Sequence, residues 1–587
     1  SGGISMLRSS RTIASLIRSL VLGTATTTTM VLVAASVVGC KDESQPDYWV
    51  EKLDDPAWRA RAVKRLEQFF EDSVTKNGDL KSEGVQTLIG KTVDPLTKTY
   101  VEGYDTLDDK TRVSLIKLLA AYKDKRIEPA VKKAFEEFAK HPATAKEDQD
   151  LKWAAIATED LKLTSVSDPL LNAFMKLKAS TMLGGVAYRD VNDAMRVAPS
   201  KAWVGPLSKM LDAEMVQPKT NKDKDLIDPY RDQQFWQVAS AEVLGRIGDP
   251  AAVEPLLKVL LDPSKGDVQS TAVLALVKIG KPAADAAVAL LQGKNEALAT
   301  FNARRIKEVS GSDAKGKPYV ATAALILGTI GRPDTIGPLV EALKAETDDS
   351  NKAVIARELA KIPATDESKQ AFKKAYESIG LDAEIPNGGG ALETLTESAG
   401  QFFDSSMVDW LLVRAAKTKG GEDDKKSLQL AITVTALKLA KPDQLAQVKV
   451  AVDKYGTKLE KDAYAQVDNL LKACGDRVPC YVTALQKGEN QDRANQFVGI
   501  KAGYMIGILG DERSRDDVVK GIDSVTNAAL RSVSATVIDH LSPKGSKDVA
   551  AKLNVVIEKN AKSPDREKSA GDSPLKQVMY RLESRAS

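Results

Sequence analysis

Side chains able to do chemistry are scarce in this sequence. Its 587 residues include two histidines, His141 and His540, and three cysteines, Cys40, Cys474 and Cys480. Acid–base and metal chemistry need such groups gathered at short, fixed spacings. Here nothing pairs the histidines. His141 precedes Pro142 in a helix-end turn and His540 lies near a predicted helix C-terminus, so both read as structural. No HExxH, GxSxG or Walker loop occurs. The Gly388-Gly389-Gly390 run follows no predicted strand and lacks a Lys-Ser/Thr partner, so it does not read as a phosphate loop. Carboxylates such as Glu242 and Asp285 are plentiful, but their spacing singles out no acid or base. The sequence therefore predicts no catalytic residue, no metal site and no cofactor.

What it does predict is architecture, and the clearest stretch is Gln234 to Leu343. With Gly248, Gly280, Gly331, Gly475 and Gly510 as position zero, position −1 holds Ile247, Ile279, Ile330, Cys474 and Leu509. Position −4 holds Leu244, Leu276, Leu327, Leu471 and Ile506, and position −8 holds Ser240, Ala272, Ala323, Val467 and Ala502. Spacings of three and four place these on one stripe of a helix. The glycine suits a left-handed C-cap. Pro250, Pro282 and Pro333 suit the first turn of a second helix, and Asp249, Asp334 and Asp511 suit its N-terminus. That helix carries Val253, Leu256, Leu257 and Leu260, or Ile336, Leu339, Val340 and Leu343. A helical hairpin repeated in this way predicts an all-α fold, an α-solenoid.

The runs AEVLGRIGDPAAVEPLLKVL at 241–260 and ALILGTIGRPDTIGPLVEAL at 324–343 resemble HEAT repeats in their bacterial, PBS-lyase-type form. The resemblance covers about three repeats between Gln234 and Leu343, with two more around Gly475 and Gly510. It implies a superhelix of helix pairs whose inner helices bind another macromolecule, and it implies no reaction. HEAT-like iron hydroxylases carry paired His-Glu motifs that this chain lacks.

The amino terminus reads as a targeting segment. After five leader residues, Met6 is followed by Arg8, Arg11 and Arg18, then an apolar run from Leu20 to Val38 diluted by Thr24 and Thr26 to Thr29. This is the pattern of a secretory signal. An uncleaved anchor is the alternative, since about 20 apolar residues span a bilayer. Val37-Val38-Gly39-Cys40 resembles the bacterial lipobox. The motif implies cleavage after Gly39 and a lipid on Cys40, and Lys41 rather than Asp after the cysteine implies the outer membrane.

That compartment changes how the remaining residues are read. Without the three leader arginines, Lys+Arg falls from 84 to 81, against 81 Asp+Glu, so the mature chain is formally neutral. A nucleic-acid binder is expected to carry a basic excess. An oxidising compartment favours pairing of Cys474 with Cys480. Cys474 takes the position of Ile247 and Ile330, and Cys480 that of Val253 and Ile336, positions that face each other across a hairpin. So short a loop gives a contribution of about 2 kcal/mol. A redox or metal site is the alternative, but the sequence has no CxxC and no histidine nearby.

In order, the chain is expected to comprise a signal at 1–39, a lipidated tether at 40–55 and divergent repeats at 56–212. Central repeats follow at 213–380, a Gly-rich insertion at 381–424, further repeats at 425–562 and a polar tail at 563–587, either disordered or a single capping helix. Insertions at 213–232, 295–318 and 381–404 are candidate binding loops. Two short helices are expected from Ser82 to Leu88 and from Asp94 to Tyr100. Phe402, Phe403 and Trp410 are candidate partner-binding residues, with packing of the next helix pair as the other reading. The function expected is a non-catalytic, membrane-anchored scaffold binding protein partners of the cell envelope. The alternatives are an enzyme or enzyme-accessory lipoprotein with its site in an insertion, and a nucleic-acid binder.

Overall fold

Every regular element among the described residues is helical, apart from one isolated antiparallel bridge between Glu384 and Gly390. The computed structural model describes residues 42–142, 149–180, 187–218, 220, 222–385, 389–488, 493–561 and 572–586. The expected signal segment, Cys40 and Lys41 lie outside the described residues. No helix among the described residues is long and apolar enough to cross a membrane. The chain forms two units, residues 1–203 with 218–236, and residues 204–217 with 237–587.

In the first unit, alternate helices stack in two rows. Arg59–Asn77, Asp109–Tyr122, Gln149–Leu161 and Ala187–Val197 form one row, each packed on the next. Glu83–Gly103, Glu128–Lys140 and Ser167–Lys176 form the other. Stacked pairs of this kind bury their apolar stripes on their neighbours, as a solenoid requires. Two expectations change here. Glu83–Gly103 is one helix that runs through Pro95, because Val85, Ile89, Val93, Leu96 and Tyr100 bury a continuous stripe across it. The expected tether is docked from Pro46 onward, where Trp49 and Leu53 are buried.

The second unit bears out the register read from the sequence. All ten residues at positions −4 and −8 before the five glycines are buried. Gly248, Gly280, Gly331 and Gly475 have φ of 69°, 76°, 67° and 56°. Gly510 departs from the pattern, since its φ is not positive. There the reversal is made by Asp511, whose carboxylate accepts from the backbone N–H of Arg513 and Ser514 at 3.1 and 3.0 Å. Close approach is visible at Gly245, where a Cβ would stand 2.6 Å from the Cα of Ala275 on the neighbouring helix.

One row of the second unit runs through Gly266–Ile279, Pro318–Ile330, Asp349–Leu359, Ala391–Ala399, Glu422–Leu439, Arg493–Leu509 and Ala528–His540, each packed on the next. Asp572–Arg585 then packs on both Ala528–His540 and Gly266–Ile279, so the row closes into a ring. Buried side chains close helix ends within and beside the ring. Lys501 Nζ donates to the Lys438 carbonyl at 2.9 Å and the Ala440 carbonyl at 2.5 Å. Lys265 Nζ donates to the carbonyls of Leu211 and, at 3.0 Å, Ala213. Asn302 Nδ2 reaches the Leu261 carbonyl at 2.7 Å. Each of these satisfies carbonyls that a helix C-terminus leaves without intrahelical partners.

Two sequence boundaries shift as a result. The stretch 381–424, expected as an insertion, contains Ala391–Ala399 and Met407–Lys417 and the start of Glu422–Leu439. Leu392, Leu395 and Ala399 are a buried stripe at spacings of three and four, obscured in the sequence by the glycines before them. The insertion expected at 213–232 runs into the helix Lys224–Ile247, which passes through Pro229. The third, at 295–318, holds the expected helix, Glu296–Ser310.

Candidate functional site

The strongest concentration of buried charge and polar side chains lies where the C-terminal helix closes the ring. Leu575, Val578, Met579 and Leu582 recur at spacings of three, one and three, which is one face of a helix. All four are buried. At one end of the helix, Asp572 pairs with the fully buried Arg531 at 3.0 Å and accepts from Asn560 at 3.1 Å. At the other end, Asp539 pairs with Arg581 at 2.9 Å and with Arg585 at 3.0 Å. Arg581 also donates to the Lys361 carbonyl, and Arg585 Nε to the Gly331 carbonyl at 2.8 Å. Arg332 reaches back to the Ser584 carbonyl at 2.5 Å.

Two of the repeat glycines have a second task here. A Cβ on Gly280 would stand 2.6 Å from Ser584 Oγ, and one on Gly331 would overlap the Arg581 guanidinium. Their positive φ ends one helix, and their bare Cα lets the C-terminal helix lie against the corner.

Beneath this helix remains a cavity of about 570 Å³. The C-terminal helix faces it with Ser573, Pro574, Gln577, Val578 and Arg581. Opposite lie Val273, Leu274, Leu325, Ile362 and Phe403, with Thr329, Thr536 and His540 among the polar lining. Burial lowers the pKa of His540, against the opposing influence of Asp539 and a backbone hydrogen bond to Gly507. Burial likewise brings Arg581 down to about 10. Among the described residues, no group of three or more His, Cys, Asp or Glu could hold a metal ion.

The residues singled out in the sequence fall in different places. Phe402 is 2% exposed and meets Phe372 edge-on, with ring centres 5.1 Å apart. Phe403, 5% exposed with φ of 49°, packs on Tyr504 and His540 and lines the cavity. Trp410 is half-buried on Tyr376 and donates to Glu377 at 3.0 Å. Cys474 and Cys480 are joined by a disulfide, Cα to Cα 5.4 Å, across the corner between Lys458–Cys474 and Val478–Lys487. His141 is exposed at the end of Glu128–Lys140. Of the two readings of the polar tail, disordered or a single capping helix, the structure has the helix. Residues 572–585 are a helix with a buried face, while 562–571 lie outside the described residues. Its stripe from Leu575 to Leu582 was readable, but Lys, Arg, Asp and Glu around it masked the pattern.

Comparison with known proteins adds the following. No curated protein sequence matches this chain. A crystal structure of importin beta in an ammonium sulfate condition aligns with 92% of this chain and 70% of that one, at 11% identity and a TM-score of 0.23. At that score the two do not share a global superposition. Residues 232–304 match the family model described as HEAT repeats, the same stretch in which the glycine-stop repeat begins.

Proposed function

We propose that the chain is a non-catalytic, lipid-anchored scaffold that holds protein partners at the bacterial cell envelope, with the ring of the second unit as its docking element. The observation that carries this reading is the C-terminal helix itself. The ring seats an amphipathic helix through an apolar stripe, paired charges and two bare glycine corners. These are the means by which a groove recognises a protein helix. HEAT repeats commonly serve as protein-binding scaffolds, and the matched residues 232–304 supply Gly266–Ile279, one of the helices under the seat. The anchor rests on the signal-like segment and Cys40. Outer-membrane residence rests on Lys41.

Metabolic labelling with a palmitate analogue, followed by affinity capture from envelope extracts, tests both parts. The chain should take up label, Cys40→Ala should not, and specific envelope proteins should be retained. Label that persists in Cys40→Ala contradicts the anchor, and capture of no protein above background contradicts the scaffold.

A further inference from the structure

We propose that the seat of Asp572–Arg585 is an exchangeable groove, which a partner protein's amphipathic helix enters by replacing the chain's own. The proposal rests on the scaffold reading above and specifies the partner. Its helix carries apolar residues at the spacing of Leu575, Val578, Met579 and Leu582, and two arginines four residues apart near its C-terminal end.

Charge complementarity sets the arginine requirement. Asp539 stands between Arg581 and Arg585, and the carbonyls of Lys361 and Gly331 take further guanidinium N–H groups. Two guanidinium groups one helical turn apart satisfy this site, and the glycine corners at 280 and 331 admit the end of the helix.

The same contacts make the resident helix replaceable. Enclosed ion pairs repay much of their attraction as desolvation, so they specify a register more than they add net affinity. Burial, with Arg585 beside it, lowers the pKa of Arg581 in spite of the Asp539 carboxylate.

The fit is also incomplete. About 570 Å³ remains open beside Ser573, Pro574 and Gln577, facing Val273, Leu274, Leu325, Ile362 and Phe403. The space is open to solvent, so the apolar side chains that line it keep a surface that a larger occupant would remove from water. A partner helix with large apolar side chains at the positions of Ser573 and Gln577 would fill it and outbid the resident.

The test uses the full chain and fluorescent synthetic peptides of residues 572–585. Leu575→Ala with Leu582→Ala in the chain loosens its own helix and leaves the groove intact. The native-sequence peptide should bind this variant about tenfold more tightly than it binds the unsubstituted chain. A peptide carrying Ser573→Leu and Gln577→Phe should bind about tenfold more tightly again, and one carrying Arg581→Ala and Arg585→Ala about tenfold more weakly. Equal binding to both chains, or binding to neither, would overturn the proposal. So would loss of helical circular dichroism in the loosened chain beyond the share of its 14-residue helix, which would make the helix an inseparable part of the fold. A dimer of that chain in light scattering would also overturn it, by assigning the groove to a second copy. If the peptide fails while envelope proteins are still captured, only the exchange falls and the scaffold stands.

Discussion

Asp539 is the side chain on which closure of the ring depends most. Removing its charge leaves the buried Arg581 with one fewer partner, and breaking a buried pair from one side is costly. Asp539→Asn is expected to lower the stability of the second unit by about 3 kcal/mol in urea denaturation. A loss below about 0.5 kcal/mol, the scale of an exposed pair, would contradict the geometry. Lys501 makes a prediction of a different kind. Burial pulls its ammonium down to about 7, and burial also lowers Lys265, Lys278 and Lys438. Between about pH 7 and the unfolded value near 10.4, the unfolded chain holds a proton that folded Lys501 lacks. Stability contributed by this group therefore rises with pH across that window, by at most about 1.4 kcal/mol per unit. Lys501→Met should make the measured slope shallower, and an unchanged slope would mean the ammonium is not enclosed.

Elements show why part of the fold was readable in advance. A glycine stop flanked by stripes at −4 and −8 specifies a hairpin with local information alone, and those positions proved buried. The ring was not readable, because closure depends on a contact between Gly280 or Gly331 and a helix about 250 to 300 residues later. No local period encodes such a contact. Pro95 misled for the converse reason, since tertiary burial outweighed a local breaker. Phe402 and Phe403 were visible as an aromatic pair, but which neighbours enclose them depends on Phe372, Tyr504 and His540. Glycines separate the local from the tertiary role experimentally. Gly90 lies in an exposed helix interior with nothing near its absent Cβ, whereas Gly245 abuts Ala275. Gly90→Ala should raise the melting temperature, with a gain of about 0.5–1 kcal/mol. Gly245→Ala should cost about 1–3 kcal/mol. The corner held by Cys474 and Cys480 gives a further measurement. Replacing both with serine should cost about 2 kcal/mol in denaturation under oxidising conditions, and no change would make the bridge dispensable.

On the scale of the whole molecule, the ring of the second unit is closed by the helix Asp572–Arg585, which lies in the groove proposed for a partner. The surroundings of the cavity fit a helix: an apolar floor, hydroxyl side chains and a carboxylate placed for guanidinium groups. The most direct measurement is photo-cross-linking in cells. A photoreactive amino acid at Thr536, which lines the cavity, is compared with one at Asp462, exposed on the helix Lys458–Cys474. A discrete envelope protein cross-linked from Thr536 and not from Asp462 is the predicted result. Adducts that are absent at Thr536, or the same from both positions, would contradict docking at the ring.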